Sequence, residues 1–281
     1  MMSLKINTPL VSVDWLFSNI ENEHLIILDA TIPKVTSKNE AIEEKYQIRN
    51  ARFFDIQTIF SDTNAPFPNT VISPKEFEEK AQTLGINNHS CIVVYDDLGM
   101  YSSPRVWWLF QLMGFKNIAV LNGGFPEWKK KEYLVEKPFS HQPKKGNFTV
   151  DYQPQKIKFT EDVLKAIEND EFLIADARSK GRFYATEPEP RKGLKGGHIP
   201  NSISFPIADI IVDGKLKSAE ELKEIFQDKN PTNKDFIFSC GSGITAAVLA
   251  LGAEIAGFKN HAVYDGSWTE WASTENLPIE K

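Results

Sequence analysis

Residues 114–128 read GFKNIAVLNGGFPEW, and residues 257–271 read GFKNHAVYDGSWTEW. Nine of these fifteen positions are identical at an offset of 143 residues. That period is far too long for a solenoid unit, so it marks the duplication of a whole domain. A chain of 281 residues has room for two domains at roughly 100–200 residues each. Other segments fall into line around the repeat. Leu25–Ala30 (LIILDA) matches Phe172–Ala177 (FLIADA), and Cys91–Asp97 (CIVVYDD) matches Lys234–Cys240 (KDFIFSC). At this offset Asp97 stands in the place of Cys240.

The matched runs are short, apolar and end in polar residues, the pattern of parallel strands buried on both faces. Helical stretches lie between them. Ser73–Leu84 opens Ser-Pro, an N-cap followed by the first helical position, and stops before Gly85. Ser218–Phe226 has Ser followed three residues on by Glu, a capping-box signature. Strand and helix alternate in each half, which predicts an α/β fold of two tandem domains, each a parallel sheet with helices on both faces. The polar, Pro-containing stretch after residue 135 suits a surface linker. The first domain is expected over 1–140, the linker over 141–156 and the second domain over 157–281.

Composition narrows the function. The net charge is −6, which disfavours a general binder of nucleic acid or of an acidic membrane surface. The apolar run Ala246–Ala253 is broken by Glu254, well short of the ~20 residues a bilayer needs. The first fifteen residues lack a basic segment followed by an apolar one, so no secretory signal is expected. Two cysteines, Cys91 and Cys240, make neither a disulfide framework nor a zinc cluster and fit a reducing cytoplasm.

Those two thiols differ in their surroundings. Cys91 opens an apolar strand with no glycine loop after it and reads as a packed core residue. Cys240 ends the strand Phe236–Phe238 and precedes Gly-Ser-Gly-Ile-Thr and an apolar helix. Sites in open α/β sheets form beyond the carboxyl ends of strands. Gly241 and Gly243 let the main chain curve, so that successive N–H groups can face one anion beside a helix N-terminus. Such donors favour the thiolate, and the same cradle would suit a persulfide. A cysteine-loop phosphatase would need an arginine six residues on, where this chain has Ala246. A Cys–His hydrolase needs a histidine base, and the sequence singles out none of His24, His89, His141, His198 and His261, so that reading stays open.

These segments resemble the two-domain rhodanese-type sulfurtransferases, and most closely those that take sulfur from 3-mercaptopyruvate. The resemblance spans almost the whole chain. It rests on Asp176-Ala177-Arg178, Gly181-Arg182-Phe183, Thr186–Arg191 (TEPEPR), Gly197–Pro200 (GHIP), Cys240–Ala246 (CGSGITA) and Asp265–Trp271 (DGSWTEW), with Asn50–Ile56 and Ser102–Trp108 in the first half. It implies that only the second domain is catalytic, and that the site faces a cleft between the domains.

The resemblance also implies a mechanism: a Cys240 thiolate takes sulfur from 3-mercaptopyruvate, releases pyruvate and passes the sulfur to a small thiol, thioredoxin or cyanide. Arg182 and Arg191 would hold the substrate. Gly241, Gly243 and Ile244 would line it, and Ser242 and Thr245 would supply hydroxyls. No metal or organic cofactor is called for. Thiosulfate-preferring relatives carry basic residues after the cysteine, whereas Gly241, Ser242 and Gly243 are neutral, which favours mercaptopyruvate. Thiosulfate transfer and a non-catalytic binding module are the alternatives. One departure concerns a His-Ile-Pro-Gly-Ala segment, whose histidine is assigned to a proton relay in many relatives. This chain has Gln47-Ile48-Arg49-Asn50-Ala51 there, and Gln47 cannot act as a base.

Simpler roles stand beside these. Arg182 and Arg191 could pair with Glu187 and Glu189, Thr245 could cap the following helix, and Arg178 could pair with its strand-end Asp. His198 could bond to main chain, and Trp268 and Trp271 could be core.

Overall fold

The computed structural model describes residues 4–33, 44–139 and 142–281. The chain forms two compact units. The first comprises Met1–Ser61, Ile72–Gln153 and Asp213–Lys215, and the second comprises Asp62–Val71, Pro154–Val212 and Leu216–Lys281. Each unit thus includes a short piece from the other half of the sequence. Residues 140 and 141, where the expected linker begins, lie outside the described residues.

The first unit is built on β1 (Leu10–Val11), β2 (Leu25–Asp29), β3 (Arg52–Phe53), β4 (Cys91–Tyr95) and β5 (Ile118–Leu121). They lie side by side in the order β3-β2-β4-β5-β1, and every pairing is parallel. The second unit uses β6 (Ile157–Lys158), β7 (Phe172–Asp176), β8 (Ile203–Ser204), β9 (Asp235–Ser239) and β10 (His261–Tyr264). Its order is β8-β7-β9-β10-β6, again all parallel. Counted along the chain, both sheets run third, second, fourth, fifth, first. The duplication seen in fifteen residues extends to the topology. A small antiparallel pair, Gln47–Ile48 with Val135–Glu136, adds to the first unit.

Apolar side chains on both sides of each strand explain why these sheets are covered on both faces. Ile27, Val93 and Ala119 pack with Val13 and Leu16 of α1 (Val13–Asn19) and with Phe125 and Trp128 of α4 (Gly124–Lys130). The alternate residues Ile26, Leu28, Ile92 and Val94 are just as buried. Between α1 and α4 come α2 (Pro74–Thr83) and α3 (Ser103–Leu112), and α3 packs against β4 and β5. The second unit repeats the scheme. Val163 of α5 (Thr160–Ala166) and Trp268 and Trp271 of α9 (Ser267–Ser273) pack on Ile174, Ile237 and Tyr264. Of its other helices, α6 (Lys180–Phe183) is short, while α7 (Ala219–Lys229) packs against α8 (Ala246–Ala256).

Both expected helix starts are capped as the sequence predicts. Ser73 and Glu76 form a reciprocal capping box at α2, and Ser218 and Glu221 form one at α7. No helix among the described residues is long and apolar enough to cross a membrane.

Candidate active site

Cys240 directly follows β9, the central strand of the second sheet, at its carboxyl end. Residues 240–245 turn the chain into α8. Gly243 takes φ +78°, a left-handed conformation that costs glycine little. Gly241 is needed for a different reason: a Cβ there would lie 3.0 Å from Arg182 Nη2 and 3.7 Å from Arg191 Nη1. The loop carbonyls turn towards α9. Trp268 N donates to Cys240 O (2.9 Å), while Thr269 N and Oγ1 donate to Gly241 O (3.0 and 2.5 Å).

Cys240 N and Gly243 N donate to Ser267 Oγ (3.2 and 3.1 Å), which itself sits 4.0 Å from Cys240 Sγ. Among the described residues, the amides of Gly241, Ser242, Ile244, Thr245 and Ala246 donate to no protein acceptor. Thr245 occupies the N-cap position of α8 but makes no capping bond through its hydroxyl. Its main chain is already helical (φ −78°, ψ −15°) rather than extended, so the expected capping role is not observed.

The first unit holds the corresponding loop with an aspartate in it. Tyr95 O accepts from Ala30 N as Ser239 O accepts from Ala177 N, and Phe125 N donates to Asp96 O as Trp268 N donates to Cys240 O. The residue equivalent to Cys240 is therefore Asp96, not Asp97. The fixed offset misplaces it because the loop 96–102 has one residue more than the loop 240–245. Asp96 is fully buried. Its Oδ2 accepts from the amides of Tyr101 (2.9 Å), Ser102 (3.0 Å) and Ser103 (2.9 Å) and from Ser103 Oγ (2.6 Å). Ser103 opens α3 as Ala246 opens α8. Those three amides therefore correspond to Ile244, Thr245 and Ala246, which have no acceptor in the second unit.

Two arginines flank Gly241. Arg182 pairs with Glu189 (2.7 Å), which in turn pairs with the buried Arg178 (2.7 Å). Arg178 also grips Asp176 (2.6 Å), donates to Gly197 O and stacks over Trp268, a structural role in keeping with its sequence context. Asp176 and Glu189 more than offset the cost of burying the Arg178 guanidinium and hold its pKa above the usual value. Arg191 has no carboxylate partner among the described residues. It donates to Ser242 Oγ (3.2 Å) and Thr269 Oγ1 (3.4 Å). Asn69, from the segment Asp62–Val71, donates through Nδ2 to Ser242 O (3.1 Å) and Ser242 Oγ (3.0 Å). A carbonyl can only accept, so the amide nitrogen must face the loop. Ser242 Oγ thus accepts from Asn69 and Arg191 together.

The sequence model for a rhodanese-like domain matches residues 12–131 and again 159–274. The chain belongs to the rhodanese family. It is 34% identical over 277 residues to 3-mercaptopyruvate sulfurtransferase of Escherichia coli K12, covering 97% of this chain and 98% of that one. It is 38% identical over 273 residues to thiosulfate sulfurtransferase of Mus musculus, covering 93% and 91%. The crystal structure of SseA from Escherichia coli, a 3-mercaptopyruvate sulfotransferase, superimposes with a TM-score of 0.83 at 32% identity, over 93% of this chain and 99% of that one. The protein is a rhodanese-type sulfurtransferase.

Within this rhodanese, the remaining sequence candidates take ordinary places. Cys91 is buried in β4, and burial pushes its thiol up to about 12. Gln47 is buried in the first unit, with its amide on Ala51 O and Glu136 Oε1. The side-chain amide on the Ser242 hydroxyl is that of Asn69. His198 Nδ1 lies 3.0 Å from Phe183 O, and its ring stacks on Phe183. His261 is buried beside Glu254 (3.3 Å), and burial lowers its pKa. No described histidine hydrogen-bonds Cys240, and His141 lies outside the described residues. Among the described residues no three His, Cys, Asp or Glu side chains converge as metal ligands.

Asn69, Thr269, Glu189 and Ser267 were not singled out as site residues by the sequence. Ser267 left the clearest trace: in the repeat it aligns with Gly124, and both take a left-handed φ near +50°. A serine that accepts this strain where its counterpart is glycine marks a position where the hydroxyl matters.

Proposed function

We propose that this rhodanese moves sulfane sulfur from 3-mercaptopyruvate, through a persulfide on Cys240, to a thiol acceptor. One observation carries the reading. The amides that grip the Asp96 carboxylate in the first unit have open counterparts beside Cys240 in the second. In aspartate the carboxylate oxygen is two bonds beyond Cβ, and in a cysteine persulfide the outer sulfur is also two bonds beyond Cβ. A persulfide anion on Cys240 therefore presents its charge to Ile244, Thr245 and Ala246 as Asp96 presents its own to Tyr101, Ser102 and Ser103. These donors, at the N-terminal end of α8, suit the negative charge of a persulfide anion.

The Cys240 thiolate attacks the sulfur of 3-mercaptopyruvate. An S–S bond forms, the C–S bond breaks, and its electron pair stays on carbon as the pyruvate enolate, which takes a proton from water. Arg191 and Arg182 hold the carboxylate and carbonyl of the substrate, where planar guanidinium groups suit a planar anion and stabilise the charge of the enolate. Gly241, Gly243 and Ile244 line the donor, and the hydroxyls of Ser242 and Thr245 orient it. The acceptor thiol, thioredoxin or cyanide then attacks the outer sulfur and restores the Cys240 thiolate. The sulfur itself is the carrier, so no cofactor is invoked. Two cysteines outside any disulfide suit a cytoplasmic enzyme.

Intact mass after incubation with 3-mercaptopyruvate tests the proposal. The wild-type protein gains one sulfur atom, and Cys240→Ser gains none. No adduct on the wild-type protein supports a non-catalytic binding module instead. Turnover with cyanide as acceptor is compared on both donors, and a clear preference for thiosulfate overturns the choice of mercaptopyruvate.

A further inference from the structure

The two arginines beside Gly241 differ in one respect that bears on the charge of the substrate. Arg182 is matched by Glu189, whose carboxylate is almost wholly enclosed (2% exposed) and lies 2.7 Å from the guanidinium. Arg191 carries its charge against two hydroxyls, and no carboxylate faces it among the described residues. Behind them Arg178 and Asp176 form a closed pair, with Arg178 also touching Glu189. The cluster holds three guanidinium groups and two carboxylates, a surplus of one positive charge. The loop residues next to it, Gly241, Ser242 and Gly243, add none. Of the other carboxylates, Glu187 accepts from Ser179 Oγ and Asp265 from Val71 N.

We infer that Glu189 sets the charge preference of the site, matching Arg182 so that the pair of arginines selects a monoanionic sulfur donor over a dianionic one. This inference rests on Cys240 being the sulfur carrier and on the two arginines facing the donor. With the Cys240 thiolate counted, the site carries no surplus positive charge, so every donor charge is borne against Glu189, and a dianion bears twice what a monoanion does in a half-buried site, where Coulombic terms are several times larger than in water. Glu189 need not touch the donor. It acts through Arg182, and its removal leaves Arg178 gripped by Asp176 and Gly197 O.

The test compares kcat/KM for thiosulfate and for 3-mercaptopyruvate in wild type, Glu189→Gln and Glu189→Asp. Glu189→Gln keeps the shape and removes the charge, so the ratio moves towards thiosulfate by about tenfold, the effect of one unit charge on one extra substrate charge across ~10 Å at intermediate dielectric. The shift shrinks as salt is raised. Glu189→Asp keeps the charge and returns the ratio to within about twofold of wild type, whatever it does to either rate alone. An unchanged ratio in Glu189→Gln overturns the inference, as does a Glu189→Asp ratio equal to that of Glu189→Gln. Wild-type enzyme that turns over neither donor instead removes the sulfurtransfer proposal itself, so the two failures are distinguishable.

Discussion

Replacing Asp96 by Asn measures the strength of the amide cradle without any catalysis. The aspartate Oδ2 accepts four hydrogen bonds, from Tyr101 N, Ser102 N, Ser103 N and Ser103 Oγ, and Oδ1 accepts one from Leu98 N (3.0 Å). An amide oxygen can take the Oδ2 position, but without the charge. A bond to a charged group contributes about 1.5–3 kcal/mol and a neutral one about 0.5–1.5, so the four bonds lose ~1 kcal/mol each. The amide NH2 must then face the Leu98 N–H, which removes a fifth bond. The expected loss is ~6 kcal/mol, exceptional for a single isosteric change. Urea unfolding followed by tryptophan fluorescence reads it, with Asp97→Asn as the control. The Asp97 side chain is exposed, but partial desolvation and the charges of Asp96 and Asp29 push its carboxyl up to about 6, so its replacement by the neutral amide should cost nothing or stabilise. A loss below ~1 kcal/mol in Asp96→Asn, or equal losses at 96 and 97, would refute both the cradle and the equivalence of Asp96 with Cys240.

Other outcomes follow from particular contacts. Arg191→Ala removes a charged donor from beside Gly241 and, on the proposed mechanism, should lower kcat/KM on 3-mercaptopyruvate by ten- to about a hundredfold, the worth of one charge-assisted hydrogen bond, in steady-state assays. Cys91→Ser, in the wall of the first sheet, should lower thermal stability while the folded enzyme keeps its turnover per molecule; a loss of persulfide formation would assign Cys91 a chemical role. Glu254 makes part of the stability acid-sensitive. Burial pushes its carboxyl up, but hydrogen bonds from His261 and Lys259 outweigh this and hold it at about 2, against the usual 4.5. A depressed folded-state value stabilises above the unfolded value, so this contribution is present above 4.5 and is lost as the pH falls towards 2. Glu254→Gln should flatten the acid limb of a plot of Tm against pH, and parallel curves for the two proteins would count against it.

Much of this was legible in the chain. Apolar runs of five residues are long enough to announce buried strands, and the Ser73 and Ser218 caps state where helices begin. The strand-loop-helix order around Cys240 pointed to an anion cradle because each of those signals is local. What escaped was non-local. A one-residue insertion in the loop 96–102 shifted the aspartate that mirrors Cys240, since a fixed offset cannot sense a change in loop length. Asn69 could not be foreseen on Ser242, 173 positions away, because nothing in FPNTV says where that segment packs. Glu187 and Glu189 were equal candidates for Arg182 by spacing. Main-chain geometry selects Glu189 and leaves Glu187 to accept from Ser179 Oγ.

The segment Asp62–Val71 has a bearing on the ancestry of this enzyme. After duplication either copy is open to deletion, yet here the first half supplies ten residues that fold with the second. A fragment beginning at Pro154 would retain Cys240 and both arginines but forfeit Asn69, and with it the amide that fixes the Ser242 hydroxyl. Trimming the chain to its second half therefore removes part of the network around Cys240.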